Sequence, residues 1–316
     1  MHNFLDISDC PDPQAWVAEA IALKRSPHRY STLGENLALG LFFMNPSLRT
    51  RLSTQRAAHF LGMQTIDMDM VSGWPLEFLD GTIMDQHKSE HIREAAAVVS
   101  RYCDIIGIRC FPGLEDRDLD YSEPFLTAFR KYSSSPVINL ESATRHPLQA
   151  FADIMTIEEY KRTVKPRIVL TWAPHPKSLP QSVPNSFISW AAQMNYDLVV
   201  THPEGYELDP KITGSISIEY DQNTAMKDAD FVYAKNWSSY MEYGKILKKD
   251  SDWMITGQKM KITDNAKFMH CLPVRRNVVV ADEVLDSPDS VVLTQSENRI
   301  YTAQVVLIHI IDSIRE

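Results

Sequence analysis

The chain has 316 residues, 44% of them hydrophobic, and a formal net charge of −9. That length suits two domains with full cores rather than one. The acidic balance argues against nucleic acid or an anionic membrane as partner, so any anionic ligand must be met by locally concentrated arginines.

In the first half, helical patterns alternate with short apolar strands. Pro13–Arg25 reads as a helix, Ala38–Met44 as a strand, Ser47–Leu61 as a helix and Gln64–Met68 as a strand. His91–Arg101 reads as a helix leading into strand Ile105–Ile108, and Phe125–Tyr132 as a helix leading into strand Val137–Leu140. Pro147–Thr163 is a helix placed to bridge two domains. A second alternation follows, with strands Arg167–Trp172, Leu198–Thr201, Phe231–Ala234 and Lys267–His270, a helix over Ser186–Met194, and a closing apolar helix over Gln304–Ile314. This order predicts an α/β protein of two domains, each a parallel sheet with helices on both faces. The segment Ala173–Pro184 carries prolines at 174, 176, 180 and 184 and reads as a stiff loop. No run approaches the length of a membrane span, and no signal-peptide pattern opens the sequence. The cysteines Cys10, Cys103, Cys110 and Cys271 form no C-x-x-C pair. Together these features predict a cytoplasmic protein.

Residues 42–51 carry the most chemistry. An apolar strand meets the turn signal Asn45-Pro46, and Ser47-Leu48-Arg49-Thr50-Arg51 then opens a helical pattern. Free N–H groups and the positive dipole end of the helix collect there, joined by two arginines and two hydroxyls. Such a set suits a phosphate-like dianion. The plainer alternative is a Ser N-cap followed by solvated arginines.

This stretch resembles the S-x-R-T-R carbamoyl-phosphate motif of the aspartate and ornithine carbamoyltransferases. His146-Pro147-Leu148-Gln149 resembles that family's H-P-x-Q, and His270-Cys271-Leu272-Pro273 the H-C-L-P of its ornithine branch. The order and spacing agree, and the resemblance covers essentially the whole chain. It implies a carbamoyl-phosphate domain over 1–146, completed by the C-terminal helix 300–316, and an acceptor domain over 147–299. By the same resemblance, Ser47, Leu48 (through its N–H), Arg49, Thr50 and Arg109 would hold the phosphate. His146, assisted by Thr50 and Arg109, would donate to the carbamoyl oxygen, and Gln149 would bond the carbamoyl NH2. Trp74 would reach carbamoyl phosphate from a neighbouring subunit of a homotrimer with shared active sites. Cys271 and Leu272 would orient the incoming amine through their backbone carbonyls, with no covalent cysteine step. No cofactor and no metal are implied.

The acceptor follows from what is missing. Ornithine enzymes carry D-x-x-S-M-G to grip a free α-amine, whereas this chain reads Lys235-Asn236-Trp237-Ser238-Ser239-Tyr240. A lysine suits a blocked α-amine and a remaining carboxylate, which points to the N-acylornithine branch of arginine synthesis. Glu141, His175, Lys235, Arg275 and Arg299 are the candidates to contact that substrate, and Arg299 is also a candidate for carbamoyl phosphate. Some acetylornithine enzymes have a lysine two residues after R-R-N; here Val278-Val279 follow Arg275-Arg276-Asn277. In acetyl-specific members a loop like Asp80–His91 ends in a glutamate, and in succinyl-specific ones in a neutral residue. The scaffold is closer to the N-succinylornithine type, while Glu90 favours N-acetylornithine. In that branch the proline-rich loop encircles a later segment, so a chain knot is implied. The alternatives are an ornithine carbamoyltransferase and, from another class, a zinc peptidase. The second would use His87, Glu90 and His91 as H-x-x-E-H on a helix.

Overall fold

A computed structural model describes residues 3–70, 74–248 and 250–316. Val71, Ser72 and Gly73 of the Trp74 loop lie outside the described residues. The elements run α1 Pro13–Arg25, β1 Ala38–Phe43, α2 Arg49–Phe60, β2 Gln64–Asp69, β3 Leu76–Glu77, β4 Glu90–His91, α3 Ile92–Tyr102, β5 Ile105–Arg109, α4 Arg117–Tyr121, α5 Pro124–Tyr132 and β6 Val137–Glu141. They continue α6 Pro147–Tyr160, β7 Arg167–Trp172, α7 Ser182–Gln193, β8 Asp197–Thr201, α8 Pro210–Thr213, β9 Ser217–Glu219, α9 Gln222–Met226, β10 Phe231–Lys235, α10 Gly257–Met260, β11 Lys267–Met269, α11 Asp282–Leu285 and α12 Val292–Arg315.

The chain divides into two compact units. The first takes residues up to Gly113, then Asp118–Leu148 and Arg299–Glu316. Its sheet has the order β2-β1-β5-β6, and every pairing is parallel. Leu39, Leu41 and Phe43 of β1 and Ile105, Ile106 and Ile108 of β5 are fully buried. That is why these strands read as continuous apolar runs instead of alternating ones. The end of α12 packs on α1, with His309 stacked on Trp16 at 4.5 Å and within 2.9 Å of the Glu19 carboxylate.

The second unit takes Gln149–Asn298 and the short piece Leu114–Arg117. Its five strands run β11-β10-β7-β8-β9, again all parallel. Strands β10 and β11 lie on one side of β7, and β8 and β9 on the other. The order therefore reverses beside β7, where ligands of open α/β sheets bind at the carboxyl ends of strands. Leu114 belongs here because Gly244, at φ +73°, lets the backbone pass close to its carbonyl; a Cβ there would lie 1.9 Å from the Leu114 oxygen.

Several boundaries differ from the sequence expectation. α2 starts at Arg49, not Ser47, with Leu48 at the N-cap and no side-chain cap. α7 starts at Ser182, ahead of Pro184, because a proline in the first turn removes an N–H that has no helical partner anyway. α6 stops at Tyr160. α12 begins at Val292, well before Gln304. Its early turns bury Gln295, Asn298 and Thr302, polar residues that an apolar-periodicity scan passes over.

Candidate active site

The Ser-Leu-Arg-Thr-Arg segment sits in the first unit where the carboxyl end of β1 meets α2. Thr50 is buried, Ser47 and Arg49 are half-exposed, and the Leu48 side chain is open. From the far end of the sequence, Arg299 of α12 brings its Nη2 within 2.5 Å of Thr50 Oγ1 and donates to it. Arg299 is itself buried. Two segments distant in sequence therefore bring cationic and hydroxyl donors to one helix start. Arg51 does not join them: its guanidinium lies over Phe43 at 4.5 Å and pairs with Asp67 at 3.2 Å.

Arg109, at the end of β5, has more work than the sequence assigned to it. Nε and Nη2 donate to Glu141 Oε2 at 3.2 and 3.0 Å. Nη1 donates to the carbonyls of Asn45 at 3.0 Å and Pro46 at 2.5 Å. A guanidinium has five N–H donors, so most of this one is spent on Glu141 and on clamping the turn that precedes Ser47. Glu141 was expected among the acylornithine contacts. In the structure its carboxylate takes Arg109 and lies 3.4 Å from His146 Nε2, so it orders two carbamoyl-phosphate candidates.

Trp74 and Glu90 meet. The two-residue strands β3 and β4 pair Leu76 with Glu90, and the Trp74 indole N–H donates to Glu90 Oε2 at 2.5 Å. This pairing corrects the zinc-peptidase alternative. His87 lies in a bend and Glu90–His91 in a strand, so the H-x-x-E-H residues do not share a helical face. The His91 ring is occupied: Nδ1 accepts from Arg93 N–H at 3.1 Å, and Nε2 lies 3.2 Å from the Leu79 carbonyl oxygen. Among the described residues no cluster of three His, Cys, Asp or Glu side chains suits a metal ion.

In the second unit, the carboxyl ends of β7 and β10 carry His175 and Lys235. They are tied by Ala173 N–H to the Lys235 carbonyl at 3.1 Å and by Asn236 Nδ2 to the Ala173 carbonyl at 2.7 Å. Burial holds the His175 imidazole below its ordinary pKa, and the positive charges of Lys235, Arg275 and Lys177 push it the same way. The sequence named His175, Lys235 and Arg275 separately; in the structure the charges of Lys235 and Arg275 both act on the His175 ring, a setting that suits a carboxylate.

The His270–Pro273 segment follows β11. Leu272 has φ +53°, a backbone state rare for a branched residue and held only where surroundings enforce it. Part of the enforcement is His270 Nδ1, which accepts the Leu272 N–H at 2.9 Å. The His270 N–H in turn donates to Gln295 Oε1 at 3.0 Å. Gln149, on α6, donates from Nε2 to Asp153 Oδ1 at 2.7 Å. Sequence reasoning missed Asp153, Gln295 and Tyr233. One signal was present: Asp153 stands four residues after Gln149 on a helix, the spacing at which side chains meet.

A two-unit parallel α/β protein emerges, with hydroxyl and arginine donors at a helix start in one unit and, in the other, a hydrogen-bonded His270–Leu272 segment and basic residues acting on His175. Residues 2–159 match the carbamoyl-P binding domain of aspartate/ornithine carbamoyltransferase, and residues 180–310 match the Asp/Orn binding domain. The chain belongs to the aspartate/ornithine carbamoyltransferase family. It is 51% identical to the N-succinylornithine carbamoyltransferase of Bacteroides thetaiotaomicron, over 99% of this chain and 100% of that one. It is 35% identical to the N-acetylornithine carbamoyltransferase of Xanthomonas campestris pv. campestris, over 97% of each. Among solved structures, a glutamate-to-valine variant of N-acetyl-L-ornithine transcarbamylase bound to carbamyl phosphate and N-succinyl-L-norvaline superposes with TM-score 0.92. It is 33% identical, and the match covers 98% of this chain and 100% of that one.

Proposed function

We propose that this protein transfers the carbamoyl group of carbamoyl phosphate to the δ-amine of an N-acylated ornithine, giving an N-acylcitrulline and phosphate in arginine biosynthesis. The observation that carries the reading is the Arg299–Thr50 bond. It brings a buried cation of the C-terminal helix onto the S-x-R-T-R helix start, where a desolvated phosphate is the natural occupant. In this reading residues 1–146 with 300–316 hold carbamoyl phosphate through Ser47, Leu48, Arg49, Thr50 and Arg109, joined by Arg299 at the domain boundary, which lies with the first unit. His146 stabilises the growing charge on the carbamoyl oxygen, and Gln149 accepts from the carbamoyl NH2. Residues 147–299 hold the acylornithine, its carboxylate on His175, Lys235 and Arg275, its δ-amine turned by the carbonyls of Cys271 and Leu272. The amine lone pair forms a bond to the carbamoyl carbon, the C–O bond to phosphate breaks, and the amine releases one proton. Free alkyl amines titrate near pH 10, so delivery of a neutral amine is part of the task.

The acyl group is read as a succinylornithine-type scaffold on which Glu90 favours N-acetylornithine. Identity of 51% to a succinylornithine enzyme against 35% to an acetylornithine enzyme supports the scaffold; the Glu90 carboxylate supports the preference. Homotrimers sharing active sites through Trp74 and Glu90 are part of the same proposal. The exposed Leu52, Ile66, Met68, Leu79 and Ile83 of the first unit support it, and the mass in solution tests it. Four free cysteines support a cytoplasmic setting, and no described helix is long and apolar enough to cross a membrane. A knot around the proline-rich loop is supported by the Ser238 N–H bond to the Leu179 carbonyl at 2.9 Å and the Gln181 Nε2 bond to the Ser238 carbonyl at 2.6 Å. Citrulline-product assays with ornithine, N-acetylornithine and N-succinylornithine side by side test the acceptor. Robust turnover of free ornithine overturns the acylornithine reading.

A further inference from the structure

We propose that Asp153 is a positioning residue that sets two parts of the reaction at once. Resting on the roles given above to Gln149 and to the Cys271 and Leu272 carbonyls, the inference adds the group that aims them. Asp153 is fully buried on α6. Its Oδ1 accepts from Gln149 Nε2 and from Gln295 Nε2, each at 2.7 Å, and its Oδ2 accepts from the Tyr233 hydroxyl at 2.9 Å.

An ionised carboxylate accepts and does not donate, so it dictates which way a neighbouring amide faces. At Gln149 the NH2 end is drawn to Asp153, which turns the carbonyl end outward as an acceptor, the polarity a carbamoyl NH2 requires. At Gln295 the same choice sends Oε1 to the His270 N–H at 3.0 Å. That bond anchors the residue directly before Cys271 and Leu272. Tyr233 supplies a third link: its hydroxyl is buried between Asp153 and Cys271, and burial pushes its pKa far above the ordinary tyrosine range. One carboxylate thus fixes the acceptor for the carbamoyl nitrogen and the backbone acceptors for the attacking amine. Without it, both amides can rotate, and an acceptor becomes a donor in either place.

The test is a double-mutant cycle between Asp153→Ala and Gln149→Ala, read by product formation, with inorganic phosphate as a competitive probe. Asp153→Ala should lower kcat about 100-fold, the scale of an ångström-sized misplacement, while the inhibition constant of phosphate stays within about twofold. Its effect should shrink at least about fivefold when Gln149 is already Ala, because residues acting through one another are not additive. Asp153→Asn keeps one acceptor oxygen for the two amides, and the Tyr233 hydroxyl can rotate, so it should recover most of the loss. If Asp153→Ala does not fold, Gln295→Met reads the second arm: KM for the acylornithine should rise and kcat fall, with KM for carbamoyl phosphate unchanged. Additive losses in the cycle, an Asn variant as poor as the Ala variant, or wild-type kinetics in Gln295→Met overturn the proposal. If Gln149→Ala alone keeps full transfer activity, the reading of Gln149 fails. If Gln149→Ala is impaired but a folded Asp153→Ala is not, only the positioning role of Asp153 fails.

Discussion

The two units solve opposite problems. In the reading proposed above, the first would hold a highly charged leaving group with charged side chains, Arg49, Arg109 and Arg299; its Glu141 carboxylate pairs with Arg109 and lies 3.4 Å from His146. In the same reading the second would orient a neutral amine and a neutral carbamoyl NH2 with acceptors, the Cys271 and Leu272 carbonyls and the Gln149 amide, behind which Asp153, Gln295 and Tyr233 form a buried hydrogen-bond network. The positive charges that act on its His175 come from Lys235, Arg275 and Lys177. Charge can be supplied by a few donors near the ligand, whereas orientation needs rigid support behind each donor and acceptor. Losses in the first unit should therefore appear in affinity for the dianion and in rate together. Losses in the second should appear as misalignment.

The largest effect expected from the charged half is Arg49→Ala. Removing one charge-assisted contact to a desolvated dianion costs on the order of 2–4 kcal/mol of transition-state stabilisation, or about 30- to 1,000-fold in kcat/KM for carbamoyl phosphate. The melting temperature should hardly move, since Arg49 is half-exposed at the start of α2. Unchanged kcat/KM would remove Arg49 from the phosphate site and erase the contrast between the units.

The same contrast explains what could be read from the sequence. The S-x-R-T-R segment was legible because its donors are contiguous and a strand, a proline turn and a helix start all mark it. Arg299 was legible only as a candidate, because its 249-residue separation from Thr50 carries no local pattern. Glu141 was named only for the acylornithine, and nothing in Val137–Glu141 announces that its last residue also pairs with Arg109. Asp153 and Gln295 were not singled out at all. They sit on helices as buried polar residues, and only the fold reveals that their partners lie on α6, β10 and α12 and directly after β11. The parallel sheets were legible from apolar runs. The three-residue edge strand β9, which the sequence reading passed over, shows the weakness of that signal at a sheet edge, where burial does not select the side chains.

Glu90 tests whether charge also governs acyl choice. Glu90→Gln keeps an acceptor for the Trp74 indole, so the β3–β4 ribbon should persist while the negative charge is lost. Two carboxylates about 4–5 Å apart at an effective dielectric near 20 repel by roughly 3–4 kcal/mol, and screening lowers that. The ratio of kcat/KM for N-succinylornithine to that for N-acetylornithine should rise by about ten- to a hundredfold, mostly through the succinyl substrate. An unchanged ratio means that Glu90 serves only to bind Trp74, and that acyl choice lies in the second unit.

The smallest effect expected is a pH dependence from His175. Its pKa is held down by burial and by the adjacent charges of Lys235, Arg275 and Lys177, so the imidazole is neutral around pH 7. A bound carboxylate offsets those charges and favours the imidazolium, which raises the pKa in the complex above that of the free protein. Binding then takes up a fraction of a proton at mildly acidic pH, and by linkage affinity improves as pH falls toward and below the ordinary value of 6.5. An N-acylnorvaline is the right probe, because it lacks the δ-amine and its α-carboxylate stays ionised in this range. Its Kd should fall about threefold between pH 7.5 and 5.5 in the wild type, and His175→Asn should flatten the profile while the lysine and arginine charges keep a baseline affinity. A profile of equal slope in both proteins would place the titrating group elsewhere and leave His175 as a packing residue of the proline-rich loop.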